Sequence, residues 1–246
     1  MLDIAGIERA TLAAMPPEAS DELEGWLVAL DHGTVGRAHS AAPLAHAAPD
    51  ARAVQAVEQR YARFGTPAVF RLPEVPAFDA LRDELQARGF RPSKTTLVQV
   101  ARLQDMPLPA DAIVQLAAMP ASGWEQVFLG EGFDPVDGAS RLGILRRARD
   151  SVFASMEREG STVAAGSACF SQGWLGIHGM RTVPAARRQG AAGRILAAFA
   201  QEARSRGLTR AFLQVEEGNA VARSLYARLG FTTAWAYRYW KGAGVR

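Results

Sequence analysis

Two stretches of this 246-residue chain rhyme. One, from Ala203, reads ARSRGLTRAFLQVEEGNAVARSLYARLGFTTAWAYRYW; the other, from Ala62, reads ARFGTPAVFRLPEVPAFDALRDELQARGFRPSKTTLVQV. Each opens on a helix end and a glycine (Gly207, Gly65) and continues with a short apolar strand, AFLQV or AVFRL. A loop and a second helix follow, closing on Gly230-Phe231 or Gly89-Phe90, and a β-rich segment ends each stretch. A glycine past a helix end supplies the positive φ that stops it, and the next residue folds back on the last turn. A chain built this way reads as two copies of one unit. Two prolines and two acids in DMPLPADA, 105–112, interrupt the periodic segments, so the expected halves are 1–104 and 105–246.

The second half predicts a strand over Ala112–Ala118 and helices over Ser122–Gly130 and Asp137–Arg149. Three alternating segments, Ser151–Arg158, Ser161–Phe170 and Trp174–Val183, predict an antiparallel meander. Gln189–Arg206 carries Ile195, Leu196, Phe199, Ala200 and Ala203 at helical spacing. A strand, a helix and a last strand complete the unit. The class is α+β with a mixed sheet, parallel only where a helix crosses over. Arg141, Arg146, Arg147 and Arg149 read as a solvated helix face, with attraction of an acidic substrate as the alternative.

Composition narrows the function. Lys+Arg number 28 against 25 Asp+Glu, a net charge of +3, which is too little for a nucleic-acid surface. Cys169 is the sole cysteine, so no internal disulfide and no cysteine-based zinc site form. The four histidines lack metal-ligand spacing, so no metal is expected. No apolar run reaches the ~18–20 residues of a membrane span. Acids at Asp3 and Glu8 and the lack of a basic start argue against a secretory signal, and a cytoplasmic protein is expected.

The chemistry gathers in VPAARRQGAAGRIL, 183–196, between a strand and a helix. Arg187, Gly190 and Ala192 fit [QR]-x-x-G-x-[GA]. A helix N-terminus presents unsatisfied N–H groups and a partial positive charge. Small residues there let a pyrophosphate approach the backbone, and Arg187 and Arg188 add charge-assisted donors. A tightly packed helix start is the bland alternative. Neither GxxxxGK[ST] nor GxGxxG is present. About 30 residues on, Asn219 is placed to cap a helix on which Ala222 and Tyr226 share a face. Tyr226 is either a general acid or a half-buried core aromatic.

Taken together, the Arg187–Gly190–Ala192 loop and the Asn219-x-x-Ala222-x-x-x-Tyr226-x-x-x-Gly230-Phe231 segment resemble the GNAT superfamily of acyl-CoA-dependent N-acetyltransferases. The resemblance implies two tandem GNAT-like domains and acetyl-CoA as donor. It assigns the CoA pyrophosphate to Arg187, Arg188 and the backbone of Gln189, Gly190, Ala191, Ala192 and Gly193. The strand at Met180, Arg181 and Thr182 would pair with the pantetheine arm, with an N–H near Met180 polarising the thioester. Asn219 and Ala222 would line the pantetheine, and Tyr226 would protonate the leaving thiolate. Ala192 stands where glycine is commoner, a change the pattern tolerates.

The base is left open among Glu216, His178, Glu131 and Asp134; alternation places His178 on the face of Met180. Cys169 reads as a small buried residue, not a nucleophile. The first half resembles the same fold without its chemistry: Leu85 stands at the place of Tyr226, and Pro49-Asp50 at the start of the matching helix. It is expected to be non-catalytic, to pack on the second half and to wall the acceptor site. Arg37, His39 and Ser40 read as a surface strand and turn, with a substrate cleft as the alternative. The expected acceptor is a small-molecule or peptide amine, and a homodimer is left open. The competing function is an acyl-CoA-binding regulatory module without turnover.

Overall fold

The computed structural model describes residues 2–106, 114–130 and 134–242. The first half runs α1 (Ile4–Ala14), β1 (Ala19–Leu23), β2 (Trp26–Leu30), β3 (Ala41–Pro43), α2 (Ala51–Phe64), β4 (Val69–Pro73), α3 (Asp79–Ala87), β5 (Arg91–Pro92) and β6 (Thr96–Arg102). The second runs β7 (Gln115–Ala117), α4 (Ser122–Phe128), α5 (Pro135–Arg147), β8 (Ser151–Arg158), β9 (Ser161–Ser171), β10 (Trp174–Thr182), α6 (Ala191–Ser205), β11 (Arg210–Glu216), α7 (Ala220–Arg228) and β12 (Thr232–Lys241). The expected order of the second half holds, the meander included. The strand expected at 112–118 is seen at 115–117; residues 112 and 113, like most of the 105–112 boundary, lie outside the described residues.

All strands join one mixed sheet, in the order β1-β2-β3-β4-β12-β6-β11-β10-β9-β8-β7, with β5 also on β12. Apart from β7 at one end, the order is a palindrome: β1 to β4 match β8 to β11, and β12 matches β6. Among the described residues each half has one parallel contact, β3 on β4 and β10 on β11, and a helix makes each crossover. The two halves exchange their last strands. β6 pairs with β11 from Arg210↔Arg102 to Glu216↔Thr96, and β12 pairs with β4 from Tyr237↔Pro73 to Lys241↔Val69. The cores follow the exchange. Trp240 packs with Trp26, Phe70 and Leu85 of the first half, while Leu97, Ala101 and Leu103 pack with Ile195, Phe199 and Leu213 of the second.

The Gly-Phe punctuation works identically in both copies. Gly89 and Gly230 take φ of 88° and 84°. The Phe90 N–H donates to the Leu85 carbonyl at 2.9 Å, and that of Phe231 to the Tyr226 carbonyl at 3.0 Å. This is the Schellman closure, in which the second residue past the helix reaches back one turn. It also fixes Leu85 and Tyr226 as positional equivalents.

α6 and α7 cover one face of the second half. α1, α4 and α5 cover the other, so the first half's own helix α1 packs on β9 and β10. Glu8 of α1 and Arg71 of β4 form a buried ion pair between these elements.

Candidate active site

β10 and β11 pair only from Trp174↔Arg210 to Ile177↔Leu213, then part. Against β9, the register of β10 slips between His178 and Arg181. Gly179 supplies the bulge at φ 59°, a value that a side chain rarely adopts. Two consequences follow. The edge of β10 from His178 to Thr182 has no partner strand on the β11 side. And the strand's alternation breaks, so a side chain changes face there.

That break corrects one expectation. His178 and Met180 do not share a face. Met180 packs with Ile195 and Phe199 of α6, and a Cβ on Gly166 would meet its sulfur at 2.5 Å. His178 lies on the opposite face, its ring 5.8 Å from that of Phe212. Arg181 shares the His178 side, its guanidinium 5.8 Å from the Phe128 ring.

The opening between the strands is a cleft of about 290 Å³. On the α6–α7 side it is lined by Met180, Asn219, Ala222 and Tyr226, all expected from sequence. Asn219 caps α7, its Oδ1 accepting from the Ala222 N–H at 3.1 Å. Tyr226 is 9% exposed. Burial pushes its phenol above the ordinary value, so the proton stays on. Its hydroxyl makes no hydrogen bond among the described residues, unlike a core tyrosine such as Tyr61, which donates to the Ala29 carbonyl at 2.8 Å. The residue is buried as a whole while its hydroxyl opens onto the cleft, where a ligand can reach it.

The other side of the cleft draws on both halves: Met15, Arg37, Phe128, Arg141, His178, Gln214 and Glu216 among others. His178 is 4% exposed, and neither ring nitrogen has a hydrogen-bond partner among the described residues. Burial, and then the charge of Arg37, hold its pKa well below the usual histidine value, so the ring is neutral at pH 7. Glu216 ends β11 on the same face by alternation, with its side chain 62% exposed and 3.8 Å from Lys94 Nζ. Asp134 is corrected: its carboxylate caps α5, accepting from the Asp137 N–H at 2.9 Å, and it does not line the cleft. Glu131 lies outside the described residues.

The cleft alternative does not extend to His39 and Ser40, which do not line it, but it holds for Arg37, which does. Its guanidinium lies 3.4 Å from Gln214 Oε1. Gln214 was not singled out from sequence. It donates to Thr11 Oγ1 at 2.9 Å and accepts from the Tyr237 hydroxyl at 2.8 Å, tying α1, β11 and β12 together behind the cleft. The solvated-face reading of the arginines in 141–149 holds for Arg146, Arg147 and Arg149, which are exposed, and departs at half-buried Arg141. Arg141 lines the cleft and pairs with Asp137 at 2.6 Å, and Arg147 reaches buried Asp31 at 2.9 Å. Cys169 is buried and burial raises its pKa, which makes the thiol inert.

From the end of β10 the chain turns through the 187–193 loop into α6. Arg187 Nε donates to the Thr182 carbonyl at 3.3 Å, pinning the loop to the strand. The Gln189 side chain is engaged by the Ala185 carbonyl at 2.9 Å and by Arg158, leaving its backbone to the loop. Gly190 caps α6 at φ 82°, with no side-chain cap hydrogen bond, and a Cβ built there would meet nothing within 4 Å. The first turn of α6 is thus open and electropositive, as an anion requires. These features fit a pyrophosphate-bearing ligand.

A family model described as "Probable histone acetyltransferase Rv0428c C-terminal" matches residues 2–240. The chain belongs to this family. An uncharacterized N-acetyltransferase of Bacillus subtilis, YobR, is 26% identical over 247 residues, covering 97% of this chain and 98% of its own length. The fold is shared with a GCN5-related N-acetyltransferase from Kribbella flavida (TM-score 0.72, 19% identity, 100% of this chain and 97% of that one). It is shared too with a tandem GNAT protein from the clavulanic acid biosynthesis pathway (TM-score 0.60, 16% identity, 98% and 88%). The protein is therefore an acetyltransferase of the GNAT superfamily. No helix among the described residues is long and apolar enough to cross a membrane.

Proposed function

We propose that the chain transfers an acetyl group from acetyl-CoA to a primary amine by direct attack in a ternary complex. In this reading residues 105–246 carry the chemistry, and residues 1–104 supply a wall of the acceptor site and no second catalytic centre. The observation that carries it is the parting of β10 from β11 beside Tyr226, with the uncapped start of α6 beyond.

The roles follow from that arrangement. The N–H groups of Gln189 to Gly193, with Arg187 and Arg188, hold the pyrophosphate. The open edge of β10 at Met180, Arg181 and Thr182 takes the pantetheine as an added strand, and Asn219 and Ala222 flank it. An N–H at Met180 stabilises charge developing on the thioester oxygen. The amine forms the new C–N bond, the C–S bond breaks, and the thiolate takes the Tyr226 proton. The amine's own proton leaves through water to neutral His178 or to Glu216 at the mouth. Binding both reactants in one cleft supplies much of the acceleration.

The test is release of free thiol from acetyl-CoA over a panel of amines. Acetylation of at least one, lost in Tyr226→Phe, is the expected result. Tight CoA binding with no amine acetylated would replace this reading with a regulatory module.

A further inference from the structure

The acceptor side of the cleft is unevenly charged. Arg37, Arg141 and Arg181 line it, and Glu216 at the mouth is the one acid among the described lining residues. Asp137 approaches from behind, held by Arg141 at 2.6 Å and by the Thr34 hydroxyl at 2.6 Å. The titratable neighbours register the imbalance. Burial and Arg141 push Arg181 down to about 10 despite Asp137, and Arg37 helps keep His178 uncharged. Arg37 is half-buried on the turn at 36–39, and its hydrogen bond to Gln214 Oε1 is long, at 3.4 Å. Beside it stands His178, buried and with two partnerless nitrogens.

A lysine in a basic peptide is poorly matched to such a wall, because like charges brought into a part-buried site repel. An anion is well matched, and guanidinium groups favour carboxylates in particular. We infer that the acceptor amine also carries a carboxylate, which seats against Arg37 beneath the Arg141–Arg181 wall while the amine points to the β10 bulge. This rests on the transfer reading above and names its substrate class: amino acids and related amino carboxylates. The Arg37 contact would be made by the first half, which makes that half a determinant of specificity.

The experiment compares matched acceptors: a panel of amino acids, the primary amide of each, and a basic lysine-containing peptide. Thiol release is followed with the wild-type chain, Arg37→Gln and Arg37→Lys, and calorimetry of CoA binding and thermal melting accompany each variant. The expected result is that acids exceed their amides by about 10- to 100-fold in kcat/KM, the range of a charge-assisted contact. Arg37→Gln should raise KM for acids more than it lowers kcat and should collapse the acid-over-amide ratio. Arg37→Lys should restore part of it, with CoA affinity and folding kept in both. Equal turnover of acid and amide, or the basic peptide as best acceptor, would overturn the inference alone. Acetylation of no amine would overturn the transfer reading and this one with it.

Discussion

α2 and α6 occupy equivalent places, each crossing from one strand to its parallel neighbour, yet their first turns are opposites. α2 starts on Asp50, whose carboxylate accepts from the Arg52 N–H at 2.8 Å. α6 starts on Gly190, which offers no side chain at all. At α2 a side chain takes one of the orphan N–H groups; at α6 none does. The same divergence recurs one helix later. Leu85 is fully buried in the first core, whereas Tyr226 presents a partnerless hydroxyl to the cleft. On a shared backbone the two halves thus differ at a helix start and at one side chain, the two places where the proposed reaction sits. The exchanged strands bind the halves together, since each core includes residues of a strand from the other half.

The largest expected effect comes from erasing the difference at α7. Tyr226→Leu copies the first half and should lower kcat by about 10²- to 10⁴-fold, while CoA affinity stays within a few fold; steady-state kinetics with calorimetry check both. Next is the joint between α1 and β4. Arg71→Met leaves Glu8 buried without its partner and should cost about 3–5 kcal/mol in a denaturant titration. The double replacement of Glu8 and Arg71 by apolar residues should recover much of it.

A smaller effect is expected at the closed helix start. Asp50→Ala should cost about 1 kcal/mol and about 2–4 °C in Tm, and it should leave thiol release untouched. An effect of similar size is set by pH. His178 is buried neutral, so its folded pKa lies below its unfolded one of about 6.5. Below pH 6.5 the unfolded chain binds the proton and the folded chain does not, so stability falls as pH falls. The cost is at most about 1.4 kcal/mol per pH unit. His178→Phe should flatten that slope between pH 7 and 5.5 in paired melts.

Local signals in the sequence reached the elements and their ends. Gly-Phe closures, helical spacing in 191–205 and the small residues of 190–193 are all read within one or two turns of chain. The pairing partners were not legible. β6 and β12 are apolar alternating strands that fit beside either neighbour, and nothing local tells Thr232 to meet Val100. The face of Met180 was lost for a different reason. Gly179 within WLGIHGM was the available signal for a bulge, and alternation was carried through it. Arg37 and Gln214 meet at the cleft through a contact separated by 177 positions, which no spacing rule spans.

One titration tests the central contrast most directly. Calorimetry of CoA with the wild-type chain and with Gly190→Asp, which places a carboxylate at the open helix start as Asp50 does at the closed one, reads both the number of sites and their location. The account predicts one CoA per chain, weakened by about 100-fold or more in the variant with the fold intact by circular dichroism. Two CoA per chain, or an affinity indifferent to the aspartate, would contradict it.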